Sequence, residues 1–184
     1  EAILNMAATD PKVFRDVLMQ ANSEGVSPLF TAANIGREKV VVIILSKAAA
    51  DPKVFRDVLM QTDFEGPSPL YIAANLGREK VVRIILNTAA ADPKVFRDVL
   101  MQTNSEDRSP LYTAANYGRK EAVEAILDVA ATDPKVFRDV LMQASTTDGI
   151  SPLLTAIKLG KEETAVAILN KVAASISHPS KPLV

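Results

Sequence analysis

Apolar residues along this chain come in short bursts that return at a fixed interval. In the stretch from Asp51 to Gln61, Val54, Phe55, Val58 and Leu59 fall at i, i+1, i+4 and i+5, on one helical face. Lys53, Arg56 and Asp57 occupy the other face. Asp51 is placed to cap the free amides of the first turn, and Pro52 sits at the first helical position, where its missing N–H costs nothing. A polar connection punctuated by Gly66 and Pro67 follows. Ser68 and Pro69 then open another helix, which runs through Leu70 to Leu76 and stops at Gly77. In the next burst Val81, Val82, Ile85 and Leu86 share a face. The alanine-rich run up to Ala91 predicts that this helix continues to the brink of Asp92, where Pro93 disfavours helical geometry. Counted from Ser68, one unit predicts a first helix of about nine residues, a second of about fourteen and a short third. Such helices are marginal alone in water and must bury their faces against neighbours.

The eleven residues Asp-Pro-Lys-Val-Phe-Arg-Asp-Val-Leu-Met-Gln occur four times without change, at Asp10 to Gln20, Asp51 to Gln61, Asp92 to Gln102 and Asp133 to Gln143. Each start lies 41 residues after the last. A fixed period of this length is the mark of stacked repeats. The expected fold is therefore an all-α repeat solenoid with about three helices per repeat. Its units are expected at 27–67, 68–108 and 109–150, with a partial unit at 1–26, a capping-like partial unit at 151–174 and a flexible tail at 175–184. Glu1-Ala2-Ile3-Leu4 matches Glu124-Ala125-Ile126-Leu127, so the chain is expected to open inside a repeat, as an excised piece of a longer protein would. An apolar repeat face left open there makes weak end-to-end self-association an expectation.

The segment Ser27 to Leu45 resembles the ankyrin repeat, whose pattern reads Thr-Pro-Leu-His, then Ala-Ala, Gly, Val-Val and a Leu pair. The resemblance recurs at Ser68 to Leu86, Ser109 to Leu127 and, more weakly, Ser151 to Leu169. Ala32 and Ala33 let the first helix sit close to its neighbour, Gly36 gives the reversal, and Val40, Val41, Ile44 and Leu45 build a shared core. Two departures stand out. The family period is about 33 residues, and the longer one here is accounted for by the invariant stretch, an extra helix added to an ankyrin frame. Phe30, Tyr71, Tyr112 and Leu154 stand where the pattern has His, so aromatic packing is expected to replace its hydrogen bonding. In the fourth unit Ile157 and Lys158 replace Ala and Asn, Thr164 and Ala165 replace Val-Val, and one extra residue falls within 144–150. That drift suits a terminal repeat whose outer face meets water.

Composition narrows the function classes. Of 184 residues, 48% are hydrophobic and 23% charged, the balance of a folded domain. Lys plus Arg is 21 and Asp plus Glu is 22, without the basic excess a nucleic-acid binder carries. No apolar run reaches the roughly 18 residues a membrane span needs. The lack of cysteine and of a basic-then-apolar leader favours a cytoplasmic setting. The single histidine, His178, lies in the tail, and the acids, such as Asp57 and Glu79, recur on polar helix faces. With single, scattered glycines and no clustered ligands, neither a catalytic site nor a cofactor or metal site is expected.

What remains is surface. Equivalent positions stack into columns about 8–10 Å apart. In proteins resembling ankyrins the inner face of the first helices and the loop tips bind a protein partner. Carried onto this chain, the resemblance implies a column of Ile35, Leu76, Tyr117 and Leu159. It would be flanked by Thr31, Ile72, Thr113 and Thr155 and by Asn34, Asn75, Asn116 and Lys158, with Arg37, Arg78, Arg119 and Lys161 as its rim. Such a strip either binds a partner or is partly buried between repeats. The loop tips (22–24, 63–65, 105–107 and 146–148) vary while the helices beside them do not, and Phe64 there is either a contact anchor or folded onto the next repeat. The four identical helices are expected to seal the flank of the stack rather than to dock a partner. The functional expectation is a protein–protein interaction module; a structural spacer, an engineered scaffold and the targeting arm of a larger enzyme or effector are the alternatives.

Overall fold

The computed structural model describes residues 11–145 and 149–177. Among these residues there are twelve helices and no strand. In chain order they are α1 (Pro11–Met19), α2 (Pro28–Ile35), α3 (Glu38–Ala48), α4 (Pro52–Met60), α5 (Pro69–Asn75), α6 (Glu79–Ala89), α7 (Pro93–Met101), α8 (Pro110–Asn116), α9 (Lys120–Ala130), α10 (Pro134–Met142), α11 (Pro152–Lys158) and α12 (Glu162–Ser177). They fall into three columns. First helices α2, α5, α8 and α11 stack on one another, as do second helices α3, α6, α9 and α12, and third helices α1, α4, α7 and α10. The result is a solenoid, with each layer held by the next.

Local chemistry starts and stops each helix. Ser27, Ser68 and Ser109 accept the amides of Phe30, Tyr71 and Tyr112 at 3.2 Å, with proline at the first position. Asp51 accepts from Lys53 and Val54 at 2.8 and 3.2 Å, and Asp92 and Asp133 repeat the arrangement. The second helices stop sooner than the alanine runs predict, at Ala89 instead of Ala91. Asp92 must be extended before Pro93 (φ −123°, ψ 110°), and the tightened amides of Ala91 and Asp92 reach Thr88 and Ala89 carbonyls on the way. First helices are likewise seven or eight residues long instead of nine. At the far end α12 continues through Ser177, across the first three positions of the expected tail; His178 and the remainder lie outside the described residues.

The core is continuous along the stack. Leu29, Leu45, Leu59, Leu70, Leu86 and Leu100 are all but inaccessible to solvent. Paired alanines at 32–33, 73–74 and 114–115 are buried, and let the first helices approach closely. Val54, Phe55, Val58 and Leu59 are buried as one face of α4, with the same set in α7, so the invariant stretch does seal the flank. Its polar face links the copies. Arg15, Arg56 and Arg97 pair with Asp57, Asp98 and Asp139 of the following copy at 2.8–3.1 Å. Gln61, Gln102 and Gln143 each donate Nε2 back to the carbonyl of Met19, Met60 and Met101 at 2.9–3.0 Å.

The fourth unit presents its outer face to solvent, and that face is apolar: Leu154, Ile157 and Leu169 are about half exposed (45, 56 and 50%), whereas their equivalents Tyr112, Ala115 and Leu127 are buried. The drifted residues enlarge an apolar face. Val40, at the opposite end, is also exposed, although its equivalents Val81 and Ala122 lie in the core.

Candidate functional site

The column at the ends of the first helices exists as a surface. Ile35, Tyr117 and Leu159 are 52, 49 and 50% exposed; Leu76, in the middle, is half-buried. Each stands just before a glycine in the left-handed region (φ 65 to 73°), so the chain reverses there and leaves the preceding side chain outside the core. Asn34, Asn75 and Asn116 flank the column, half-buried. The other flank differs from expectation. Thr113 and Thr155 are buried and Ile72 half-buried, because the first helices lean that edge into the neighbouring repeat; only Thr31 is exposed. Thr31 donates its hydroxyl to the Ser27 carbonyl at 3.0 Å.

The cationic rim is fixed by the stack. Arg78 donates Nε to the Asn34 carbonyl at 3.3 Å, and Arg119 does so to the Asn75 carbonyl at 2.9 Å. Each guanidinium thus answers the open carbonyl end of the preceding first helix, where positive charge is favoured. Their stems lie across the preceding glycines: a Cβ on Gly36 would sit 3.4 Å from Arg78 Cδ, and one on Gly77 would sit 3.1 Å from Arg119 Cδ. Lys161 covers Gly118 in the same way, at 3.0 Å. Arg37 is exposed and has no such bond among the described residues.

The loop tips form a row of fingers. In the first, Asn22 Oδ1 accepts the amides of Glu24 and Val26 at 2.9 Å, and Asn104 repeats this with Glu106 and Arg108. Successive fingers are tied through their backbones: Phe64 donates to the Glu24 carbonyl at 3.1 Å and Ser105 to the Glu65 carbonyl at 3.2 Å. Phe64 does not fold onto the next repeat. It rests its edge on Gly25 of the preceding finger, where a Cβ would come within 3.0 Å of Cδ1, and stays 80% exposed. Glu24, Glu65 and Glu106 are exposed and line the row with negative charge. The tip at 146–148 lies outside the described residues.

Fingers and helices are joined through the residues that replace the expected histidine. Phe30, Tyr71 and Tyr112 are buried, as aromatic packing requires. Tyr71 adds polar bonds: its hydroxyl accepts from Asn104 Nδ2 at 3.2 Å and is hydrogen-bonded to Thr113. Burial pushes its phenol above the ordinary value, although the Thr113 bond pulls the other way, so it stays protonated. Arg108 lies over the Tyr112 ring, 5.8 Å from its centre, and pairs with Glu106 at 2.6 Å. Among the second helices Asp128 receives both Arg83 (3.1 Å) and Lys171, joining α6, α9 and α12. Burial raises its carboxyl, but the two cations outweigh that and hold it below the usual range.

Among the described residues no group of three or more His, Cys, Asp or Glu is placed to hold a metal ion, and no helix is long and apolar enough to cross a membrane. An open cavity of about 480 Å³ lies at the outer end of α2, lined by Val26, Pro28, Thr31, Ile35, Arg37 and Val40. Its walls are mostly apolar, without the convergent titratable groups of a catalytic pocket.

This arrangement, short antiparallel helices in layered columns with an open inner face, defines a helical-repeat solenoid. More narrowly, residues 55–138 match the model of a family described as ankyrin repeats, in three copies. No curated protein matches the chain. Among solved structures, a chain from the crystal structure of the yeast ribosomal protein Rps3 in complex with its chaperone Yar1 is similar, with a TM-score of 0.62 and 21% identity. The likeness covers 78% of this chain and 89% of that one, and at this identity it shows the fold.

Proposed function

We propose that the chain is a protein-binding module whose partner lies along Ile35, Leu76, Tyr117 and Leu159, beside Asn34, Asn75 and Asn116, within the rim of Arg37, Arg78 and Arg119. The reading rests chiefly on one observation: three large apolar side chains, half exposed, recur at equivalent positions of successive repeats, beside Arg78 and Arg119 held against the preceding helix ends. Single exposed apolar residues are ordinary on a protein surface, whereas an aligned set rimmed by charge has the anatomy of an interface. Phe64 extends the surface to the finger row, where the negative fingers and the basic rim favour a partner carrying both signs of charge. The similar solved complex pairs a ribosomal protein with its chaperone, which supports a protein as the class of ligand.

The test is capture from lysate by three baits: the chain itself, a variant with Ile35→Lys, Tyr117→Lys and Leu159→Lys, and a Phe64→Ser variant. Helicity and melting must be unchanged in all three. A protein held by the first bait and lost from the column variant supports the reading. One held equally by all three moves the site elsewhere on the stack. Capture of nothing by any bait counts against a binding role.

A further inference from the structure

Among the described large apolar side chains Phe64 is the most exposed, at 80%. Fingers stand on both sides of it, so this exposure belongs to the row itself. The ring is nevertheless held. Its own amide donates to the Glu24 carbonyl at 3.1 Å, and its edge rests on Gly25, where a Cβ would come within 3.0 Å of Cδ1. An aromatic side chain that is positioned by its neighbours yet left open to solvent costs little further ordering when a partner covers it.

Two carboxylates accompany the ring. Glu65 follows Phe64 in the chain, and Glu24 precedes the glycine on which the ring rests. Both are exposed, and among the described residues the glutamates that hold ion pairs are others, Glu38, Glu79 and Glu106. Residues 22–26 and 63–67 contain no lysine or arginine.

The third finger shows what such a set accepts. Glu106, the equivalent of Glu24 and Glu65, pairs with Arg108 at 2.6 Å, and that guanidinium lies over the Tyr112 ring, 5.8 Å from its centre. Where the third finger has Arg108, the first two have Val26 and Pro67. They keep the carboxylates, and the second adds an open ring, but neither supplies a cation.

Building on the reading of the chain as a protein-binding module, we propose that Phe64, Glu24 and Glu65 form a platform for an arginine side chain of the partner, with its guanidinium on the ring and its N–H groups directed to the two carboxylates. Arginine fits better than lysine because its planar, weakly hydrated head can stack on an aromatic face while its edge donates to carboxylates. The part of the partner that meets the fingers is therefore basic, and it carries arginine.

The test is a titration of the whole isotope-labelled chain, at low salt, with an end-capped Gly-Arg-Gly-Arg-Gly peptide and its lysine and citrulline counterparts, followed by amide NMR. The arginine peptide is expected to shift the amides of Gly25, Phe64, Glu65 and Gly66 most, and to bind more tightly than either counterpart. Phe64→Leu, which keeps an apolar side chain without the π face, is expected to weaken arginine binding about two- to fivefold. Glu24→Gln with Glu65→Gln is expected to weaken it about three- to tenfold and to remove most of its salt dependence. All three side chains are exposed, so unchanged helicity and melting serve as controls. Equal binding of the lysine or citrulline peptide, shifts centred away from the fingers, or an unchanged affinity in either variant would overturn the proposal. Protein capture that depends on the column, together with no arginine binding at the fingers, strikes down the platform alone. Arginine binding at the fingers with no protein captured from lysate supports the platform and counts against the column.

Discussion

Gly66 and Gly160 allow the contribution of the finger row to be separated from backbone strain. Both glycines have positive φ, +90° and +65°. Alanine at Gly160 meets nothing within 4 Å, so Gly160→Ala carries only the left-handed penalty of a side chain, about 1–2 kcal/mol. At Gly66 the added Cβ would sit 2.8 Å from the Ser105 amide nitrogen and 3.3 Å from the Asn104 carbonyl carbon. Those are backbone atoms that no rotamer change can move away. The Ser105 amide donates to the Glu65 carbonyl, so the fingers must part and that bond is lost, at a further ~1 kcal/mol. The wider φ adds to the strain, and Gly66→Ala is expected to cost about 2–4 kcal/mol in all. For a chain of this size that is a fall in Tm of roughly 4–16 °C. Urea unfolding followed by circular dichroism, analysed repeat by repeat because stacked repeats need not melt as one unit, gives both costs. Hydrogen exchange at the Ser105 amide is expected to accelerate in Gly66→Ala alone. Equal costs for the two variants, or unchanged exchange at Ser105, would refute the reasoning that the fingers are packed backbone to backbone.

Three further outcomes are expected. Phe96→Ala, in the buried face of α7, is expected to destabilise by about 3–5 kcal/mol by urea unfolding, since Phe96 is only 4% exposed and packed in the core. Asp128→Asn should remove a stabilising contribution that depends on acid. The folded carboxyl lies below its ordinary value of 3.8, so the contribution is full above that pH and lost as the pH falls through the lower folded value. The variant is therefore expected to be less stable near neutrality and to converge on the parent in strong acid, as pH-dependent melts would show. Phe64→Ser is expected to change stability by no more than about 0.5 kcal/mol, its ring being 80% exposed, while weakening partner capture.

What could be read from the sequence was whatever one repeat decides for itself. Asp51 and Ser68 with their prolines mark helix starts, Val54, Phe55, Val58 and Leu59 mark a buried face, and Gly77 marks a reversal; all three are local chemistry. What could not be read depends on how one layer is turned on the next. Thr113 and Thr155 occupy equivalent positions to exposed Thr31 but are buried, because a helical wheel shows which residues share a face and not which face a neighbour covers. The reach of Arg78 and Arg119 back to carbonyls of the previous layer is similarly invisible in their own segments. The Arg–Asp and Gln–carbonyl ties between third helices did leave a signal, polar residues fixed in all four copies. Pairing them required the offset between copies, which the stack supplies.

Those ties bear on how such a molecule can change length. Every junction between third helices uses the same arginine, aspartate and glutamine, each facing its counterpart one layer away. An in-frame recombination that gains or loses one whole 41-residue unit therefore creates no foreign junction on this flank. The residues of the inner column, which differ from layer to layer, would meanwhile be reshuffled. The flank acts as a standard coupling that lets the stack be lengthened, shortened or reordered, while the opposite face is free to acquire a new surface.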